Sequence, residues 1–459
     1  MAAAHSGNQN KISTLTKNCF GMADFGVSAM VSSMQFYMLI YYTDVVKIDP
    51  GIAGTAMLVG KLTWDMVNDV LCGYITDRTR SRWGRRRPFL IFCALPLGAS
   101  FWLLFSLPTG MSNVSAFFAV IGSFLLYDTF MTMVSTAYYS MTAELTLDYN
   151  ERTSLTSVRM VYNSVGYIFG AAVTTVLVSM LRSGMGLPDR TAWSMVGLLF
   201  GFLCMITVLV TGLTVTMKPA VEPAPTSLTP LRAILGTLKN KPFMLYAGIQ
   251  ALVSIAFTFI TTMLPYFVKY QLLMENQQYL IMMALLLTLT IFLIPCRTLA
   301  NKAGKNRAYA IGLSLASAAV ILCFFMPNGA NNIMFGVAVV AGIGFSSQWI
   351  CPHSMIPDVI EYAELETGER REGVYYGLNA MISKISNALS IMLCGWGLKF
   401  FGYAEGQAQT ARSLLGIRLM FSLLPVLIML ISVPMLLKYP ITRESHARVV
   451  AELAKRRSS

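Results

Sequence analysis

Residues 51–76 form an almost wholly apolar stretch that nevertheless holds Lys61, Asp65 and Asp69. Their spacing of i, i+4 and i+8 puts all three on one face of a helix, about one turn apart. Two carboxylates and an ammonium so placed are suited to cation chemistry. Hard oxygen ligands hold a small cation, and a carboxyl whose proton affinity is raised by burial carries a proton instead. On that reading Asp65 and Asp69 bind the cation and Lys61 takes part in coupling. The alternative is a structural Lys61–Asp65 pair, with Asp69 anchoring the basic loop that follows. Lys384 stands in a second apolar stretch, among Asn379, Ser383, Ser386 and Asn387. It either pairs with Asp65 or Asp69 once an ion has left, or makes a constant salt bridge. The polar neighbours on both sides turn this face, Asn379 included, toward a cavity.

Elements that position such charges have to be membrane spans, and the chain supplies them. Of 459 residues, 55% are apolar and 12% charged, which is the composition of a membrane protein. Twelve segments are long enough to cross about 30 Å of hydrocarbon: 20–43, 51–76, 88–107, 115–143, 160–182, 192–216, 243–270, 277–299, 307–326, 333–356, 374–401 and 414–438. A charge at the centre of such a segment costs about 3 kcal/mol even on insertion scales, so each one there is a candidate for function. Turns such as Leu107 to Gly110 and Pro327 to Gly329 separate the segments.

Loop charges set the orientation. Arg78, Arg80, Arg82, Arg85, Arg86 and Arg87 follow span two, and Arg297, Lys302, Lys305 and Arg307 follow span eight. Loops of opposite parity carry few cations, so both termini are expected in the cytoplasm. These clusters and the basic tail account for the net charge of +13 without a nucleic-acid partner. The eight cysteines lack CxxC spacing, and His5, His353 and His446 lie far apart. No metal site, cofactor or enzymatic constellation is expected. Met1 to Asn18 is polar and lacks the order of a cleaved signal.

The longest polar stretch, Lys218 to Pro242, carries four prolines before its end, Pro219, Pro223, Pro225 and Pro230. The expected organisation is a six-helix bundle over 1–217, a cytoplasmic linker over 218–242, a second six-helix bundle over 243–440 and a tail over 441–459. Gly73, Asp77, Arg78 and Gly84 after span two are echoed by Gly304, Lys305 and Arg307 after span eight. The fold class is therefore an all-α membrane protein of twelve transmembrane helices in two bundles, a major facilitator architecture with a cavity between parallel repeats. Asp77 and Arg78 are gate candidates in the first basic loop.

Two further acids stand inside spans. Asp24 lies among Gly21, Ala23 and Gly26, where an interhelical hydrogen bond and a substrate contact fit equally. Asp128 in span four is placed near a cavity rim. Tyr139 belongs to a set of aromatic residues that either stack on a sugar ring or anchor at the bilayer interface.

The chain resembles the glycoside–pentoside–hexuronide:cation symporters, which include the melibiose and glucuronide permeases. The resemblance runs in order over nearly its whole length. It begins with Tyr41, Tyr42, Thr43 and Asp44, then Trp64, Asp65, Asn68 and Asp69, then Thr79 to Gly84 with Arg87 and Pro88. Glu144 to Arg152 with Arg159 follows. In the second half come Pro357, Asp358, Glu361 and Tyr362, then Thr367 to Gly373, Lys384, Gly416 to Arg418, and Tyr439 to Thr442.

The resemblance implies that Asp65 and Asp69 match the cation-binding acids of the melibiose permease and Lys384 its span-eleven lysine. Arg159 matches an arginine near the sugar. Asp358 and Glu361 match acids at the cytoplasmic end of span ten, where a gate salt bridge with basic loop residues is preferred to a substrate role. Where the melibiose permease has sugar-binding acids in spans one and four, this chain has Ser28 and Ser135. Ser28 is thus kept as a substrate-site position and Ser135 as a cation-site one, and both loosen the case for a galactoside and for sodium.

The expected function is cation-coupled symport of a sugar, glycoside or uronide by alternating access, with H+ or Na+ as the ion. The protein is expected to work as a monomer in a bacterial inner membrane. Cys351 to Ile360 also looks like the sodium-dependent lysolipid symporters of animals, so an amphipathic lipid is the alternative substrate.

Overall fold

The computed structural model describes residues 12–146, 149–215, 236–368, 372–404 and 407–458, and every regular element among them is helical. Helices begin where the sequence supplies an acceptor. Ser13, Asp49, Ser112, Asn240 and Thr410 each accept a hydrogen bond from the main-chain N–H three residues on, satisfying one of the donors a helix start leaves unpaired. Gly110 and Gly329, in two of the predicted turns, take positive φ of 77° and 109°, conformations that favour glycine.

Among the described residues, eight helices are each long and apolar enough to cross a bilayer, and the pair Glu275–Ile291 and Leu293–Ala303, bent by 43°, makes a ninth. Pro295 accounts for the bend, because its ring presses on the carbonyl of Ile291 and removes a helical hydrogen bond. Helices also cover the three other predicted spans. Span one is Thr14–Ile40, continued by a π turn over Tyr41–Val45. Span two is Pro50–Gly60, a π turn over Lys61–Asp65, and Met66–Arg78. Span eleven is Glu372–Phe400. Asp24, Lys61, Asp65, Asp69 and Lys384 make these three less apolar than their neighbours.

The chain forms two compact units, Met1–Pro223 and Ala224–Ser459. In the first, span one packs on five (Tyr149–Ser179) and six (Asp189–Thr214), span three (Arg87–Leu104) on four (Asn113–Leu145) and six, and span two on four. In the second, span seven (Lys241–Tyr266) packs on eleven and twelve (Ala411–Leu437), span nine (Lys305–Leu322) on ten (Ile333–Thr367) and twelve, and span eight on ten. Each pairing in one unit has its counterpart six spans later in the other. The backbones meet closely at several crossings in each unit. A Cβ on Gly98 would stand 2.5 Å from the carbonyl oxygen of Gly201, and one on Gly344 2.6 Å from that of Gly312. Small residues let spans approach this far and gain dispersion contacts along their length. A last helix, Arg443–Ser458, follows span twelve and packs on span ten with Val449 and Leu453 buried.

Candidate functional site

The ionisable stretch of span two is built around its π turn. In a π turn the hydrogen bonds run from i to i+5, which widens the turn, and such turns recur at functional sites. The α-helical register that would align Lys61, Asp65 and Asp69 is therefore interrupted, and Lys61 is offset in rotation from Asp69. Lys61 is half-buried, its Nζ 5.9 Å from the centre of the Phe124 ring. The side chains of Asp65 and Asp77 lie outside the described residues.

At the turn and just below it, span two is held to span four. Trp64 Nε1 donates to Thr129 Oγ1 at 2.8 Å, and Asn68 Nδ2 donates to Asp128 Oδ2 and to the Asp128 carbonyl, both at 3.1 Å. Cys72 Sγ donates to Asn68 Oδ1 at 3.1 Å. Asn68 is buried, whereas its neighbour Asp69 is exposed at the protein surface. In a bilayer a carboxylate so exposed must meet water, not hydrocarbon. Ser135 is half-buried, two helical turns along span four from Asp128.

The second cluster joins spans one, four and five. Asp24, 2% exposed, accepts from Arg159 Nε and from the Tyr138 hydroxyl, each at 2.8 Å. Arg159 also donates to Thr142 Oγ1 at 2.8 Å, and its guanidinium lies 4.7 Å from the Tyr138 ring centre and 5.0 Å from that of Tyr139. The guanidinium charge and two hydrogen bonds offset the desolvation of the buried carboxylate, while Thr142 and the aromatic faces do the same for the guanidinium. Asp24 and Arg159, both named as substrate candidates, are thus each other's partners, while Tyr139 leaves half its surface exposed at 49%. One helical turn along span one from Asp24, Ser28 accepts from Asn163 Nδ2 at 2.6 Å.

In the second unit Lys384 and Asn379 are half-buried on span eleven. Thr258 of span seven donates to Asn387 Oδ1 at 2.9 Å. Gln250 Oε1 and Asn379 Oδ1 are buried without a hydrogen-bond partner among the described residues. At the end of span ten, Lys305 Nζ donates to both carboxylate oxygens of Asp358, at 2.8 and 2.7 Å, and to the Ser354 carbonyl at 2.7 Å. His446 Nε2, from the last helix, lies 2.7 Å from Glu361 Oε2 and 3.4 Å from Asp358 Oδ1. Arg78, the other gate candidate, is exposed, with its guanidinium 4.2 Å from the Tyr74 ring centre.

Reading the sequence missed Asn68, Tyr138, Lys305 as the partner of Asp358, and His446. A signal existed for Asn68, since Trp64, Asn68 and Cys72 recur every four residues beside the charged series. None existed for His446, whose partner is 85 residues away.

The chain is 26% identical to the glucuronide carrier protein homolog of Escherichia coli, over 92% of this chain and 91% of that protein. It is 22% identical to the sodium-dependent lysophosphatidylcholine symporter 1 of Gallus gallus, over 95% and 88%. The crystal structure of the nucleoside transporter NupG matches with a TM-score of 0.64 at 16% identity, over 92% of this chain and 99% of that one, a likeness of fold. The family model described as MFS/sugar transport protein matches residues 19–443: the chain belongs to that family, and it is a multi-span membrane transporter, not an enzyme.

Proposed function

We propose that the protein is a symporter of the bacterial inner membrane, with both termini cytoplasmic, that couples the entry of H+ or Na+ to uptake of a sugar, glycoside or uronide by alternating access. The observation that carries this reading is the ionisable stretch at the π turn of span two, tied to span four directly below it. The ion binds at Asp65 and Asp69, with Ser135 further along span four, and Lys384 together with Lys61 answers the ion's departure. Coupling follows only if occupancy changes the relative energies of the outward and inward states. Asn379 and Gln250, whose side-chain carbonyl oxygens have no partner among the described residues, suit the hydroxyl donors of a sugar. Ser28, Tyr139, Asp128, Asp24 and Arg159 are the candidates of the first unit, the last two acting on substrate through their mutual pair. Asp358 and Glu361, held by Lys305 and His446, are the gate residues of the second unit, and Asp77 and Arg78 are those of the first. Substrate and coupling ion are the small-molecule partners of a monomer that needs no nucleic acid.

Uptake into proteoliposomes under imposed proton or sodium gradients tests the proposal. Gradient-driven accumulation is expected in the wild type and abolished in Asp65→Asn and Asp69→Asn; full accumulation in Asp65→Asn would remove that acid from the ion path.

One observation favours an amphipathic lipid as substrate. A cavity of about 410 Å³ opens between spans one, five and six, lined mainly by apolar side chains such as Met22, Phe25, Val165 and Leu203, with Tyr162 and Thr207 among them. Its size and walls suit an acyl chain. A thermal-shift screen separates the two readings, since a glycoside or uronide stabilises the protein on the first and lysophosphatidylcholine on the second.

A further inference from the structure

Span two carries a second series beside the charged one. Trp64, Asn68 and Cys72 follow each other every four residues, and the first two bond to consecutive residues of span four, Thr129 and Asp128. The amide of Asn68 is fully engaged from three directions, by the Asp128 carboxylate, the Asp128 carbonyl and the Cys72 thiol. Asn68 is 2% exposed. The next residue is Asp69, which is exposed.

This arrangement matters because of what lies above it. The wide turn over Lys61–Asp65 replaces the α-helical i to i+4 bonding with i to i+5 bonding, so Met66–Arg78 is set at a rotation offset from the helix above. The Asn68–Asp128 contact fastens that rotation against span four. Two bonds from one amide to a side chain and a main chain set both the height and the rotation of span two against span four. A rotation that broke them would leave the buried Asn68 amide unsatisfied, and would turn Asp69 by the same angle.

The geometry points to Asp128 as a positioning residue for the coupling ion: it acts through Asn68 to hold Asp69 in the direction from which it binds the cation. This deepens the proposed function and rests on it. Partners one step removed from an ion commonly change its affinity by ten- to a hundred-fold when lost.

The test uses purified full-length protein with two probes, sodium chloride titrated against choline chloride and pH varied at fixed salt, read as the shift in melting temperature. Asp128→Ala and Asn68→Ala are expected to raise the half-saturating sodium concentration roughly ten- to a hundred-fold, or to displace the midpoint of the pH response by about one unit or more. Asp128→Asn retains an oxygen that accepts from Asn68 and is expected to stay within about threefold of wild type. Maximal uptake at saturating ion should persist in Asn68→Ala. Equal damage from Asp128→Asn and Asp128→Ala would show that the charge itself is needed, and an unchanged half-saturation in Asp128→Ala would show that the contact is only structural; either overturns the inference. Should Asp128→Ala fail to fold, Asp128→Ser and Asn68→Ser take its place under the same criteria. Asp69→Asn separates the two levels. If it keeps the full ion response, the ion site itself is misplaced; if it loses the response while Asp128→Ala keeps it, only the positioning role falls.

Discussion

Arg159 and Asp24 show how a buried charge pair is held among membrane spans. The pair is nearly inaccessible, at 7% and 2% exposure, and both members have further hydrogen-bond partners. Removing one member leaves the other stranded, which in buried pairs costs about 3–5 kcal/mol. Arg159→Met and Asp24→Leu should therefore each lower the melting temperature of the detergent-solubilised protein strongly. The double variant should recover part of that loss, because neither charge is then left alone; a double variant as unstable as the sum of the singles would contradict the pairing. At this scale residue types were legible in the sequence and partners were not. Asp24 and Arg159 were identifiable as charges within spans, but 135 residues separate them, and no local spacing reports a contact of that range. Tyr138 is of the same kind, indistinguishable in sequence from Tyr139 and distinguished in the fold by its hydroxyl bond to Asp24.

Elements are positioned by small residues and interrupted turns, and the sequence shows these unevenly. Pro295 and the glycines of the turns can be read directly. The π turn at Lys61–Asp65 cannot, because no residue type marks it, and so the single charged face inferred from four-residue spacing had to be revised. The glycines of spans three and six become meaningful only when the crossing is seen. A side chain at Gly98 would collide with backbone, which cannot yield as a flexible side chain does. Gly98→Val and Gly201→Val should thus lose about 1–3 kcal/mol or fail to yield monodisperse protein. Gly122→Ala is the internal control, for its added methyl meets nothing within 4 Å. Expression and size-exclusion profiles check both expectations. A well-behaved Gly98→Val would mean that the two spans do not approach this closely.

Across the whole molecule, hydropathy alone revealed where the helices lie, and the fold adds how they pair. The echo of Gly73 to Gly84 around Gly304 to Arg307 was a faint hint of duplication. The repeated pairing of spans one with five and six, and of seven with eleven and twelve, is a much stronger one. Orientation rests on the distribution of cations and is open to direct test. Single cysteines at Arg82 and Lys302, in a background lacking the native cysteines, should be labelled by a membrane-impermeant maleimide only from the cytoplasmic side, and one at Thr109 only from the opposite side. Labelling of Arg82→Cys in intact cells would reverse the assignment. The helix Arg443–Ser458 escaped notice because its polar composition reads as a tail; what folds it against span ten is a few buried contacts, Val449 and Leu453 among them, together with His446.

That contact at His446 also imposes an order on biogenesis. Lys305 is synthesised 53 residues before Asp358, so their salt bridge can close as soon as span ten is in place. His446 follows Glu361 by 85 residues. At ribosomal rates this is a delay of roughly 4–17 s. The end of span ten is therefore sealed in two steps, by a lysine already waiting and then by a histidine that arrives late. A nascent chain stalled between the two would hold an assembled set of spans with Glu361 still lacking its histidine, a state that the quality-control machinery of the membrane has time to sample.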